Sequence, residues 1–231
     1  HGTLPTNISS PFYGSFVYNY SPGDYLTYNF TGTSCCPAAG ADLFIGSGQG
    51  FYVQMVDGPA ASDNVSFNNN LRSTSYTNSN FYRLANSNSA ESYVDSMERN
   101  RIWLDIVNSS SRSDRTLFGY IQDATMAEDS FFDCLTQNTG DLRIYSLIND
   151  KKYIIQGRAL PFDVNDEVPI GINAPTTGNY SIGLAAVDGL FEQQNIYLKA
   201  LLPNPPHDLK SAPSQFTANA GNYNDRFRVV Y

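Results

Sequence analysis

The sequence predicts an all-β fold, a jelly-roll-like β-sandwich of about a dozen short strands with little helix. Three observations carry that expectation. The first is period-two alternation: Tyr180, Ile182, Leu184 and Ala186 fall on one face of a pleated ribbon, with Ser181, Gly183 and Ala185 on the other. Phe227, Val229 and Tyr231 alternate in the same way with Arg226 and Arg228. The second is punctuation, since Asn149-Asp150, Asp188-Gly189, Pro203-Asn204-Pro205-Pro206 and Ala220-Gly221-Asn222 break the chain between apolar runs. The third is composition. With 16 Tyr, 14 Phe and only 16% charged residues, the apolar weight is aromatic, which suits a pleated and half-buried surface.

Taken in order, SFVYNY (15–20) and DYLTYNF (24–30) are the first strand-like runs, with Pro22-Gly23 placed to turn between them. SGQGFYVQMV (47–56) is a glycine-marked run into a core strand. Its glycines superficially match a phosphate-binding loop, but no helix follows to supply the anion site. From Asn68 to Asn100 the chain is polar, with FYRL (81–84) as a short strand between loops. RIWLDIVN (101–108) and RTLFGYIQ (115–122) flank a serine-rich turn and predict a hairpin. The remaining strands follow between Arg143 and Tyr231. No internal repeat or interdomain linker stands out, so the reading is one β-sandwich domain over 41–231, with 1–40 as its incomplete N-terminal strands and loops.

Composition narrows function. The formal net charge is −8 with only four lysines, the opposite of what phosphate neutralisation in nucleic-acid binding requires. It also suits anionic lipid poorly. No apolar run reaches the ~20 residues of a membrane helix, so membrane insertion is not expected. Abundant Asn, Ser, Thr and Gly with Tyr fit an extracellular, cell-surface setting.

A set of stretches also matches a known family. SGQGFYV (47–53), NVSFNNNLR (64–72), ERNRIWLDI (98–106), TLFGYIQDAT (116–125), YSLINDKKYIIQGRALPFDVNDEVPIG (145–171), DGLFEQQNIYLK (188–199), HDLK (207–210) and NDRFRVVY (224–231) occur in the family's order. Over roughly residues 40 to 231 the chain resembles the conserved β-domain that precedes the C-terminal sorting signal in surface proteins exported by the type IX secretion system. The resemblance implies a structural or adhesin module with no activity of its own. It also implies a partner in the secretion machinery, reached through a sorting signal that this sequence lacks. The Asn-Pro-Tyr-Pro strand usual upstream is missing too, so a piece of a longer protein is expected.

Catalytic signals are weak. His207 is the single interior histidine, and it follows a proline-rich turn where a bond to backbone or to Asp208 is the ordinary role. A glycoside hydrolase would need two converging carboxylates drawn from Glu91, Glu98, Asp105, Asp123, Glu128, Asp129 and Asp133. No catalytic residue is assigned. Calcium is the sharper expectation: Asp123, Glu128, Asp129, Asp133, Asn138 and Asp141 lie on one long loop and carry the oxygens that Ca2+ takes in secreted proteins. Asp163-Val164-Asn165-Asp166-Glu167 is a second acidic turn.

Glycans are the candidate ligands beside neighbouring domains of the same parent protein, which makes a carbohydrate-binding module of an extracellular enzyme the alternative function. Trp103 is the lone tryptophan. It stands outward as a stacking platform if Ile102, Leu104 and Ile106 face the core, or is itself core if both faces are covered. Tyr25 and Tyr28, in a cluster with Tyr13, Tyr18 and Tyr20, are a second platform. Of the three cysteines, adjacent Cys35 and Cys36 are poorly placed to bridge each other, so a disulfide would join one of them to Cys134. Asn7, Asn29, Asn64, Asn108 and Asn179 head N-glycosylation sequons, silent in the bacterial source the resemblance implies. Asp95-Ser96-Met97 looks like the O-glycosylation signal of exported proteins in such bacteria, with Ser96 as acceptor.

Overall fold

The computed structural model describes residues 27–34, 97–136, 141–201 and 205–231, with single positions at 51, 53, 62, 64 and 66–68. The chain divides into two compact units, one of His1–Pro37 with Met97–Tyr231 and the other Ala38–Ser96, inserted in sequence between the halves of the first. Within the second unit the Phe51 and Phe67 rings meet edge to face at 5.9 Å.

The strands of the first unit are β1 (Tyr28–Asn29), β2 (Gly32–Thr33), β3 (Arg99–Asn108), β4 (Ser113–Ile121), β5 (Cys134–Leu135), β6 (Arg143–Ile148) and β7 (Lys151–Ala159). They continue as β8 (Val168–Ala174), β9 (Gly178–Val187), β10 (Tyr197–Ala200), β11 (His207–Asp208), β12 (Ser214–Ala218) and β13 (Gly221–Val230). A single 3-10 turn, Gly189–Glu192, interrupts them among the described residues. The all-β fold read from the sequence is the one observed.

β1 and β2 form a hairpin, and the other strands make one sheet in the order β11-β10-β13-β8-β6-β7-β4-β3-β9-β12, with β5 added on β7. The pairs are antiparallel except β4 with β7, which run parallel from Leu117↔Ile155 to Ile121↔Ala159. β11 and β12 lie at opposite ends of that order, yet they are consecutive in the chain, joined by Leu209–Pro213. A link this short brings the two ends together, and the sheet is nearly closed into a barrel. Leu209, the first residue of the link, is buried and donates its N–H to the Ile196 carbonyl at 2.9 Å.

Turn chemistry fixes the registers. In the β3–β4 hairpin, Asn108 Oδ1 accepts from the backbone N–H groups of Ser110 and Arg112 at 3.0 and 2.9 Å. The β6–β7 turn holds Asn149 and Asp150 at φ 47° and 66°, the left-handed pair that matches the twist of a hairpin. The alternating residues fill the interior: Ile102, Leu104 and Ile106 of β3, Phe118 and Tyr120 of β4, Ile170 and Ile172 of β8, Tyr180 and Ile182 of β9, and Phe227 and Val229 of β13. It is a packed core of large side chains.

Candidate functional site

The outward face of β3 carries Arg99, Arg101 and Trp103, one every second residue. Each donates to a carbonyl of the β1–β2 hairpin: Arg99 Nε to Phe30 O at 2.9 Å, Arg101 Nη1 to Thr31 O at 3.2 Å, and Trp103 Nε1 to Thr33 O at 2.9 Å. Asp188 grips Arg101 with both carboxylate oxygens, and the guanidinium lies 4.9 Å over the Trp103 ring. Trp103 is therefore outward in the pleat but covered, 0% exposed, packed with Leu117, Ile154, Ile155 and Cys134. That corrects the platform reading, because a fully buried indole has no open face for a pyranose. Tyr28 on β1 is 41% exposed, while Tyr25 lies outside the described residues.

The acidic loop after β4 is knitted into the framework. Asp133 is buried; its Oδ2 accepts from the Asp129 N–H at 2.6 Å and its Oδ1 from the Gly157 N–H at 3.0 Å. Burial pushes its carboxyl up to about 7, against the pull of those two donors and with help from the neighbouring Asp129 and Glu128 charges. Glu128 pairs with Lys151 at 2.6 Å, a contact that lowers its pKa. Asp129 Oδ1 accepts from the Phe131 N–H at 3.2 Å. Asp123 is exposed at φ 70°, and Asp141 contributes a backbone carbonyl to Asn173. Asn138 lies outside the described residues. Among the described residues no three His, Cys, Asp or Glu side chains gather as metal ligands, so the loop's carboxylates are spread along it.

The second acidic turn is tied to the strands by buried polar contacts. Asp166 is held by Arg158 through Nε at 2.9 Å and Nη2 at 2.7 Å, with both side chains mostly buried at 15% and 7% exposed. Its Oδ2 also accepts the Tyr120 hydroxyl at 2.6 Å, and the Tyr120 oxygen in turn accepts from Tyr231 OH at 3.2 Å. Burial, then the bond to Asp166, raises the Tyr120 pKa above its ordinary value. Phe162, Phe191 and Tyr231 pack around Tyr120 edge to face or tilted. Glu167 pairs with Lys199 at 2.9 Å.

The other singled-out residues are also placed. His207 Nε2 lies 2.7 Å from the Ala212 carbonyl across the link that closes the barrel. Asp105 pairs with Arg115 in the β3–β4 hairpin. Cys134 is half-buried, and burial, followed by the Asp133 charge, pushes its thiol pKa up. Its expected partners Cys35 and Cys36, and Ser96, lie outside the described residues.

Polar side chains also gather around a cleft on the surface of the first unit. Where β9, β12 and β13 meet, Thr177, Asn179, Thr217, Asn219, Tyr223 and Arg226 line an open cleft of about 290 Å³. Pairing sets it up: Asn179 lies opposite Thr217 across β9 and β12, so both stand on the outer face while Tyr180 and Ala218 point inward. A bulge between Tyr223 and Phe227 in β13 breaks its register with β8 beside the cleft. Arg226 is fixed by Nη1 to the Thr217 carbonyl at 3.0 Å and by the rings of Phe216, Phe227 and Tyr223 at 4.9, 5.1 and 5.6 Å. The Tyr223 hydroxyl donates to Asn219 O at 3.0 Å, which immobilises the ring. Sequence reasoning did not group these residues. The signal available was faint, namely polar residues at strand ends in TTGN (176–179) and TANAGNYNDR (217–226), which only the β9–β12 pairing brings together.

The first unit is thus an all-β, nearly closed barrel with a filled interior, and it carries a polar surface cleft between β9, β12 and β13. The chain belongs to a family defined as a domain of unknown function, DUF8693, whose model matches residues 1–231. No curated protein and no solved structure matches it.

Proposed function

We propose that this chain is a non-catalytic structural or adhesin module of a secreted protein displayed at the cell surface. The observation that carries the reading is where the chemically capable groups spend their bonds. Asp133 holds two backbone N–H groups, Asp166 holds Arg158 and Tyr120, His207 holds the barrel closure, and Trp103 holds the hairpin. Trp103, Asp166 and Asp133 fasten segments 70, 46 and 24 residues apart, and His207 ties the short link that closes the barrel. A module that keeps its shape outside the cell uses such groups in this way, and the Tyr- and Asn-rich composition suits that setting. Export by a type IX-like route rests on the sequence resemblance alone. Surface display is tested by protease shaving of intact cells that make the parent protein. Peptides of this chain are expected in the shaved fraction, and their release only after lysis overturns the reading.

Carbohydrate binding is the second reading, favoured by the cleft of Asn179, Asn219, Tyr223 and Arg226. Planar amides and a fixed ring are the groups that meet sugar hydroxyls and the apolar face of a pyranose. A glycan array of the purified chain, run with Ca2+ and with chelator, tests it. Saturable binding supports it, and a signal lost with chelator makes that binding dependent on a divalent ion.

A further inference from the structure

We infer that the cleft between β9, β12 and β13 takes a carboxylate-bearing saccharide, a uronic or similar sugar acid, with Arg226 as its anion-recognising group. The inference rests on the carbohydrate reading and specifies its ligand. Of the residues lining the cleft, Arg226 is the single ionised one, so the local charge is positive although the chain carries −8. A guanidinium is a rigid fork of five N–H donors. Here one nitrogen is spent on the Thr217 carbonyl, and the plane is fixed by three aromatic rings. That anchoring leaves the other donors pre-positioned, which lowers the ordering cost of binding a carboxylate through two parallel bonds.

The neighbours suit the rest of a sugar. Asn179 and Asn219 are exposed amides, each able to give and accept a hydrogen bond at adjacent hydroxyls, and Thr217 adds a hydroxyl on the same face. Tyr223 supplies a half-buried ring held by its own hydroxyl. Gly178 at the floor leaves room, since the nearest atom an added Cβ would meet is Ser109 Oγ at 4.0 Å. Neutral sugars would leave the Arg226 donors to water. An inorganic anion would leave the amides and the ring unused.

The test is calorimetric titration of the full chain with a uronic-acid oligosaccharide and with the same oligosaccharide after reduction of its carboxyl groups. Arg226→Gln, Arg226→Lys and Tyr223→Ala are run beside the wild type, each checked by thermal melting. The carboxylated ligand is expected to bind at least about tenfold tighter than its reduced form, the size of a charge-assisted hydrogen-bond pair. Arg226→Gln is expected to erase that preference, while Arg226→Lys keeps part of it by keeping the charge without the fork. Equal binding of both ligands, unchanged in Arg226→Gln and weakened in Tyr223→Ala, overturns the carboxylate inference and leaves the carbohydrate reading standing. Binding of neither ligand by a folded wild type overturns both.

Discussion

Raising the pH through the Asp133 titration is expected to weaken the fold. The carboxyl ordinarily titrates near 3.8 and is pushed up to about 7 by burial. Below the lower value both states hold the proton. Between the two values the folded chain keeps its proton while the unfolded chain releases it, so stability falls as pH rises and levels off above about 7. The gap, at about 1.4 kcal/mol per pH unit, caps the loss at roughly 4 kcal/mol. At roughly 2–4 °C per kcal/mol for a chain of this length, the melting temperature drops by up to roughly 16 °C. Asp114 titrates in the same direction, because burial also raises it. The comparison that isolates Asp133 is therefore Asp133→Asn, which cannot ionise. Its two oxygens face different donors, Asp129 N–H and Gly157 N–H, so the amide must turn its NH2 toward one of them. That costs about 1–3 kcal/mol at every pH. Thermal and urea unfolding from pH 4 to pH 8 should show the variant weaker at pH 4 and the order reversed by pH 8, because the wild type's loss then exceeds the amide's constant cost. Parallel profiles for the two proteins would refute the assignment, as would wild-type stability that rises from pH 4 to pH 7.

Trp103→Ala is expected to cost about 3–5 kcal/mol in urea unfolding, because it empties a fully buried site. Trp103→Phe should cost less, mainly through loss of the indole N–H bond to the Thr33 carbonyl. Asp166→Ala leaves the mostly buried Arg158 uncompensated and is expected to cost about 3–5 kcal/mol, against a smaller loss for Tyr120→Phe. Millimolar Ca2+ is expected to leave the melting temperature unchanged, since Glu128 and Asp133 are already committed to Lys151 and to backbone N–H groups. A rise of several degrees that chelator reverses would place an ion there.

The alternation of Ile102, Leu104 and Ile106, or of Phe227 and Val229, was legible because a strand's two faces are written two residues apart. The serine-rich turn after Asn108 and the Asn149-Asp150 pair were legible for the same local reason. Closure of the sheet was not. It depends on β11 and β12 joining opposite ends of the strand order, a relation no local window contains. Trp103 shows the same limit at one residue, for its outward place was readable but its cover arrives from Thr33, about 70 positions upstream. The acidic loop suggested calcium because its carboxylates are close in sequence, yet Asp133 turns to Gly157 and Glu128 to Lys151. The cleft escaped notice because its residues come from three strands and are ordinary turn and edge types taken singly.

The central claim is that this module presents a surface and carries out no reaction. Incubation of the purified chain with a panel of neutral and uronic-acid polysaccharides, assayed together for retention in affinity gels and for new reducing ends, tests it most directly. Retention or passage with no new reducing ends is the predicted result. Reducing ends that accumulate in proportion to protein and time, and that persist after Arg226→Gln, would contradict the account by placing catalysis elsewhere on the chain.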